Sequence, residues 1–181
     1  MTGLPKFKEY LSSLNLSPDQ KYFIKASLVF MLMWPFFDYW PAIDTLLSES
    51  LLHGSRYTIG AITGTMPLAI EKKEVCMYLM KDDRATLLIG KTCNGKSLYF
   101  LLVSFIFAIP NRPLKTRLIW SASSVFALYL CNMLRIVGLF FIAKSLPDWF
   151  DAFHHQIFQI LMYVLMFTIW MLYLAKSTTK P

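Results

Sequence analysis

Cys93 is the residue in this chain with the clearest potential for covalent chemistry. It stands in the run Thr92-Cys93-Asn94-Gly95-Lys96-Ser97, immediately ahead of an apolar stretch that reads as a helix. The first turn of a helix carries unsatisfied N–H groups and a partial positive charge. That field, with Lys96 three residues on, favours thiolate over thiol, and the thiolate is the nucleophilic form. Gly95 lets the backbone come close to a bound substrate. The same segment also reads as an inert cysteine in an N-capping turn, and the two readings are evenly matched from this stretch alone.

Arg135 is the second such residue. It lies in Asn132-Met133-Leu134-Arg135-Ile136, inside an otherwise apolar run. A charge in that setting costs about 2.5–3.5 kcal/mol on insertion scales and needs partners or water. Asn132 is three positions earlier and shares its helix face. The pair predicts a polar patch turned toward the interior of a helix bundle; the competing reading is an arginine that snorkels to the interface. His154 and His155 open the last apolar run, and histidine gives and takes protons near neutral pH. Either can serve as the proton carrier.

No other residues offer a comparable set. Asp82 and Asp83 suit a hairpin turn, and Asp148 and Asp151 suit caps on the last helix. His53 is isolated. Cys131 sits in an apolar run and suits packing, and Cys76 falls in a strand-like segment. Three cysteines at these spacings match no zinc pattern, so no metal site is expected.

The elements that must carry these residues are mostly apolar. Of 181 residues, 56% are hydrophobic and 16% charged, with a mean hydropathy of +0.47. A soluble domain is about half apolar and about a quarter charged, so lipid is the expected solvent. The formal charge of +7 comes from basic residues that flank apolar runs rather than forming one stripe, which argues against nucleic acid as a partner. The expected fold is an all-α membrane protein of four to five transmembrane helices with a small extracytoplasmic β-hairpin, forming one unit over residues 1–181. Spans are expected at about 22–40, 97–110, 118–144 and 156–175, the first of them long enough for the about 30 Å of hydrocarbon. The third is long and is expected to tilt or project. Residues 41–96 form the extracytoplasmic segment: a short amphipathic helix, an apolar piece at 56–70 read as interfacial or re-entrant, and a hairpin from EVCMYLM and ATLLIG across KDDR. The basic turn NRPLKTR belongs in the cytoplasm by the positive-inside rule. Cys93 and the two histidines then share the outer face.

A helix-initiating Cys93-Asn94-Gly95, then Asn132-x-x-Arg135-Ile136, then histidine at the start of the last span together resemble the exosortase/archaeosortase family over roughly residues 75–165. The family's usual Cys-Ser-Gly stands here as Cys-Asn-Gly, and its Asn-x-x-Arg is intact. The chain is similar to a minimal core without additional spans. The resemblance implies a multi-span cysteine transpeptidase or protease of the cell inner or plasma membrane, with its site on the extracytoplasmic side and no cofactor. Its substrates would be C-terminal tails of exported proteins, each a short motif, a hydrophobic helix and a basic cluster, passed to an acceptor amine such as a lipid-linked one. Cys93 would be the nucleophile, Arg135 the oxyanion partner, and His155, favoured by spacing within the family pattern, or else His154, the acid and base. Asn132, Asn94 and Gly95 would contact substrate. Two other classes compete with this reading. One is a non-catalytic membrane scaffold in which Asn132 and Arg135 only pack helices. The other is a small transporter, which predicts repeats or paired broken helices, and the sequence shows neither clearly.

Overall fold

The computed structural model describes residues 17–65, 68–73, 76–81, 84–90, 93–109 and 112–178. Asp82 and Asp83, expected at the hairpin turn, lie outside the described residues. In chain order the elements are α1 (Pro18–Asp38), α2 (Pro41–Thr63), β1 (Leu68–Lys73), β2 (Cys76–Lys81), β3 (Arg84–Ile89), α3 (Lys96–Ala108), α4 (Leu114–Ser145) and α5 (Phe158–Thr178). Between α4 and α5 the backbone stays helical through a 3-10 turn at Pro147–Trp149, a short α-turn at Phe150–Ala152 and a π-turn at Phe153–Ile157. Among the described residues, Leu114–Ser145 and Pro147–Lys176 are long and apolar enough to cross a membrane, and Lys96–Ala108 is a shorter apolar helix.

α2 is longer than the short amphipathic helix expected. Pro41 starts it, at a position where a missing N–H costs nothing. The helix then runs on through residues 56–63, because Gly60 is buried inside it rather than breaking it. Gly64 ends it at φ +68°, the left-handed conformation that stops helices. The piece at 56–70 is thus divided between two elements: residues 56–63 complete α2, and Leu68 begins β1. The sheet has three antiparallel strands in the order β1-β2-β3 rather than two. Ile70 is paired with Leu79 and Leu79 with Leu87, with an irregularity between Leu79 and Met80.

Two apolar cores divide the molecule. The first joins Ala26 of α1, Leu102, Phe105 and Ile106 of α3, Leu128 of α4, and Met162, Met166 and Tyr173 of α5. Phe23 lies 5.4 Å from Phe105 and Phe30 lies 5.7 Å from Phe100, so α1 and α3 run antiparallel. The end of α1 and the start of α2 are thereby delivered beside the N-terminus of α3. The second core joins Leu51, Leu52 and Ile59 of α2, Leu87 and Ile89 of β3, and Ile136, Val137, Leu139 and Phe140 of α4. Helix α4 has 32 residues. At about 1.5 Å of rise for each residue, it is roughly 48 Å long. It belongs to the first core in its N-terminal half and to the second in its C-terminal half. Many large apolar side chains of α4 and α5, among them Phe126, Leu134, Ile160 and Leu172, are exposed, a pattern suited to lipid contact.

Far from Cys93, Arg112 stands 5.7 Å over the Tyr173 ring, and Lys176 stands 5.3 Å over Trp120. The basic turn before α4 and the end of α5 therefore share one end of the bundle. The turn holding Cys93 and the bend from α4 to α5 share the other.

Candidate active site

Cys93 follows β3 in a turn whose backbone is fixed from several sides. Its N–H donates to the Gly90 carbonyl at 2.9 Å, and its own carbonyl accepts from Asn132 Nδ2 at 3.0 Å. Gly95 has φ +76°. A Cβ there would stand 2.9 Å from the Tyr99 hydroxyl oxygen and 3.3 Å from Asn132 Nδ2. Both conformation and space therefore demand glycine. The Asn94 side-chain carbonyl accepts the Lys96 N–H at 3.0 Å, satisfying one of the free donors at the start of α3.

Behind this turn lies Asp44, from the first turn of α2 and wholly buried. Its Oδ1 accepts from Asn94 Nδ2 at 2.8 Å and its Oδ2 from Lys96 Nζ at 2.6 Å. Lys96 is buried too. Its ammonium, expected to assist Cys93, is held by this carboxylate. Asn94 borders the site, but both ends of its amide are engaged. It therefore braces the turn, where the sequence suggests a substrate contact.

His154 Nε2 lies 3.5 Å from Cys93 Sγ, and His154 Nδ1 lies 3.3 Å from His155 Nε2. The sequence favours His155 for the sulfur; the geometry brings His154 to it. The reason is the π-turn at Phe153–Ile157, which inserts a widened turn and changes which side chains face inward. The His154 ring stacks on Phe150 at 5.6 Å, while exposed His155 has exposed Asp151 at 3.6 Å. Asp148 and Asp151 fall inside the short turns of this bend, whose capping positions are Leu146 and Trp149, so neither acid is the cap expected. For Nε2 to accept the thiol proton, the proton of neutral His154 must sit on Nδ1, and His155 Nε2 is the atom that faces it.

Arg135 reaches the same place from α4. Its Nη2 donates to the His154 carbonyl at 3.4 Å, and its half-buried guanidinium has a buried Nε with no hydrogen-bond partner among the described residues. Cys93, Gly95, Arg135, His154, His155 and Gln159 line one cavity of about 440 Å³. Against it, sharing Arg135 and Met162, lies an apolar cavity of about 280 Å³ bordered by Cys131, Leu134 and Leu165. Cys131 thus sits in apolar packing, as its sequence context suggests. A larger open strip of about 660 Å³ along residues 160–175 has almost no polar lining and suits lipid chains rather than chemistry.

The sequence-derived residues therefore converge. Asn132 differs in detail, since it is buried and holds the Cys93 carbonyl rather than reaching toward substrate. His53 is exposed on α2. Asp44 is the residue that the sequence does not reveal, because its partners follow 50 and 52 positions later. A thiol, an imidazole that can take its proton and a fixed positive charge on one cavity are the parts needed for acyl transfer through a thioester. A family model described as transmembrane exosortase matches residues 20–172. No curated protein and no solved structure matches the chain.

Proposed function

The chain belongs to the transmembrane exosortase family, and on that premise we propose that it is a membrane-embedded cysteine transpeptidase for C-terminal sorting tails. The observation that carries this reading is the 3.5 Å approach of Cys93 Sγ to His154 Nε2 within a cavity that also holds Arg135.

The thiol proton of Cys93 passes to His154 Nε2 as sulfur attacks the scissile carbonyl carbon. The electron pair of the C=O moves onto oxygen, where Arg135, which keeps its proton, faces the growing negative charge. Collapse of the adduct breaks the C–N bond. His154 returns the proton to the departing amine, leaving a thioester on Cys93. An acceptor amine, or water, then attacks the thioester and gives a proton to His154; expulsion of sulfur with that proton regenerates the thiol. His155 holds the His154 ring through Nδ1.

In this reading α1, α3, α4 and α5 are the four spans of one membrane unit in the inner or plasma membrane. The basic turn at 112–117 is cytoplasmic, and the sheet, α2 and the cavity are extracytoplasmic. Substrates are tails with a short motif, a hydrophobic helix and a basic cluster, which share the bilayer with the enzyme, and a lipid-linked amine is a suitable acceptor. The test is coexpression with an exported protein bearing such a tail, comparing the parent with Cys93→Ala. Conversion to a shorter product by the parent, and none by an equally inserted variant, is expected. Undiminished processing by Cys93→Ala overturns the nucleophile assignment.

A further inference from the structure

We propose that Asp44, far from the cysteine in sequence and on a separate helix, is a positioning residue that holds the Cys93 turn in its reactive shape. The inference rests on the transpeptidase reading and adds to it a residue that neither the family motifs nor the cavity lining contains.

An ionised carboxylate only accepts hydrogen bonds, whereas an asparagine amide has one accepting and one donating end. Asp44 Oδ1 receives Asn94 Nδ2 at 2.8 Å, so the Asn94 amide has one satisfactory orientation: NH₂ toward Asp44 and carbonyl toward the Lys96 N–H at 3.0 Å. Reversing it would set oxygen against oxygen and leave the first donor of α3 facing an amide nitrogen. The second oxygen of Asp44 takes the Lys96 ammonium at 2.6 Å, with both side chains almost fully withdrawn from solvent. One carboxylate therefore fixes the residues at positions 94 and 96, and Gly95 lies between them.

Cys93 precedes that clamp directly, and its carbonyl is held from the opposite side by Asn132 on α4. The turn is gripped by α2 and α4 together. With its backbone fixed, the Cys93 side chain is directed to His154 Nε2. Asp44 does not line the cavity; it acts through Asn94 and Lys96. A buried ion pair adds little net stability compared with well-packed apolar residues. Its worth here lies in fixing orientation.

A purely structural role, neutralising Lys96, predicts different behaviour, and three variants separate the two. Asp44→Asn keeps the shape but loses the acceptor-only character and the charge. Asp44→Asn with Lys96→Met also removes the stranded ammonium. Asp44→Asn with Asn94→Asp exchanges the pair and restores one donor and one acceptor between positions 44 and 94. Single-turnover cleavage of a tail that the parent cleaves is measured beside the thermal midpoint in detergent. The expected result for Asp44→Asn is a cleavage rate about 10- to 100-fold lower, the range for losing a charge-assisted bond that places a reacting group. The Lys96→Met pair is expected to regain the parental midpoint yet remain at least about tenfold slow. The exchanged pair is expected to return to within about threefold of the parent.

The proposal is overturned if Asp44→Asn or its Lys96→Met pair cleaves at the parental rate, or if the exchanged pair folds like the parent but stays slow. It is also overturned if the Lys96→Met pair does not fold, which makes Asp44 part of the scaffold alone. A parent that cleaves no tail overturns the functional reading instead, so the two failures are distinct.

Discussion

The sulfur of Cys93 and Nε2 of His154 stand 3.5 Å apart, although 61 positions of chain separate the two residues. The cysteine arrives on the turn after β3 and the histidine on a π-turn ahead of α5. Arg135 stitches the arrangement to α4 through the His154 carbonyl.

The two neighbouring histidines should respond unequally to removal. His154→Ala removes the group against the sulfur and is expected to lower kcat for tail cleavage about 10²- to 10⁴-fold, the usual span for a lost general base. His155→Ala removes only the partner of Nδ1 and should cost about tenfold, by analogy with the partners that orient a metal-bound imidazole. Steady-state kinetics of the two variants decides it; an equal or reversed order refutes the assignment of His154.

Arg135→Gln should leave KM nearly unchanged and lower kcat about 10²- to 10³-fold, since the charge is needed most when the carbonyl oxygen becomes negative. Arg135→Lys should recover only part of that loss. A lysine supplies a point charge but not the planar fork that also holds the His154 carbonyl. A rise in KM with kcat intact would instead assign Arg135 to ground-state binding.

Much of this site is legible in the sequence because its signals are local. A cysteine before a helix, an arginine within an apolar run and a histidine at a helix start are each visible within a few residues. What fails to show is whatever depends on distant geometry. Asp44 looks like an ordinary acid in the first turn of an amphipathic helix, and nothing near it announces Asn94 or Lys96. The choice between His154 and His155 turns on a local change of helix type, which ordinary spacing rules do not anticipate. Strand β1 hides in the same way: Leu68–Lys73 has little pattern of its own and is strand because it pairs with β2. The 56–70 segment misleads because two of its glycines play opposite parts, Gly60 inside a helix and Gly64 at its end.

Those glycine roles make a paired test. A Cβ at Gly64 meets nothing within 4 Å. Gly64→Ala therefore suffers only the left-handed backbone, and about 1–2 kcal/mol of destabilisation is expected. At Gly95 a Cβ also comes into close contact with the Tyr99 hydroxyl and Asn132. For Gly95→Ala, about 2–5 kcal/mol is expected from strain and overpacking together. Denaturant unfolding in detergent gives the order; equal losses would show that the Cys93 turn has room to spare.

Asn132 offers a fourth test. Asn132→Ala strips the donor from the Cys93 carbonyl and should cost about 1–3 kcal/mol. Asn132→Asp, which presents only acceptors when ionised, should be worse above neutral pH despite its nearly identical shape. If Asn132→Asp matches the parent in both unfolding and cleavage, the carbonyl contact is not what holds the turn.

The length of α4 has a final implication. Leu114 and Arg135 stand on one unbroken helix. Between them it rises roughly 32 Å. The hydrocarbon interior of a bilayer is about 30 Å thick. One rigid rod thus sets the depth of the guanidinium relative to the basic end of the molecule. Lipids with longer acyl chains should draw that charge below the headgroups and starve the cavity of water, and shorter chains should lift it clear. Reconstitution in a series of phosphatidylcholines would read the protein as a gauge of membrane thickness, with turnover greatest where rod and bilayer agree.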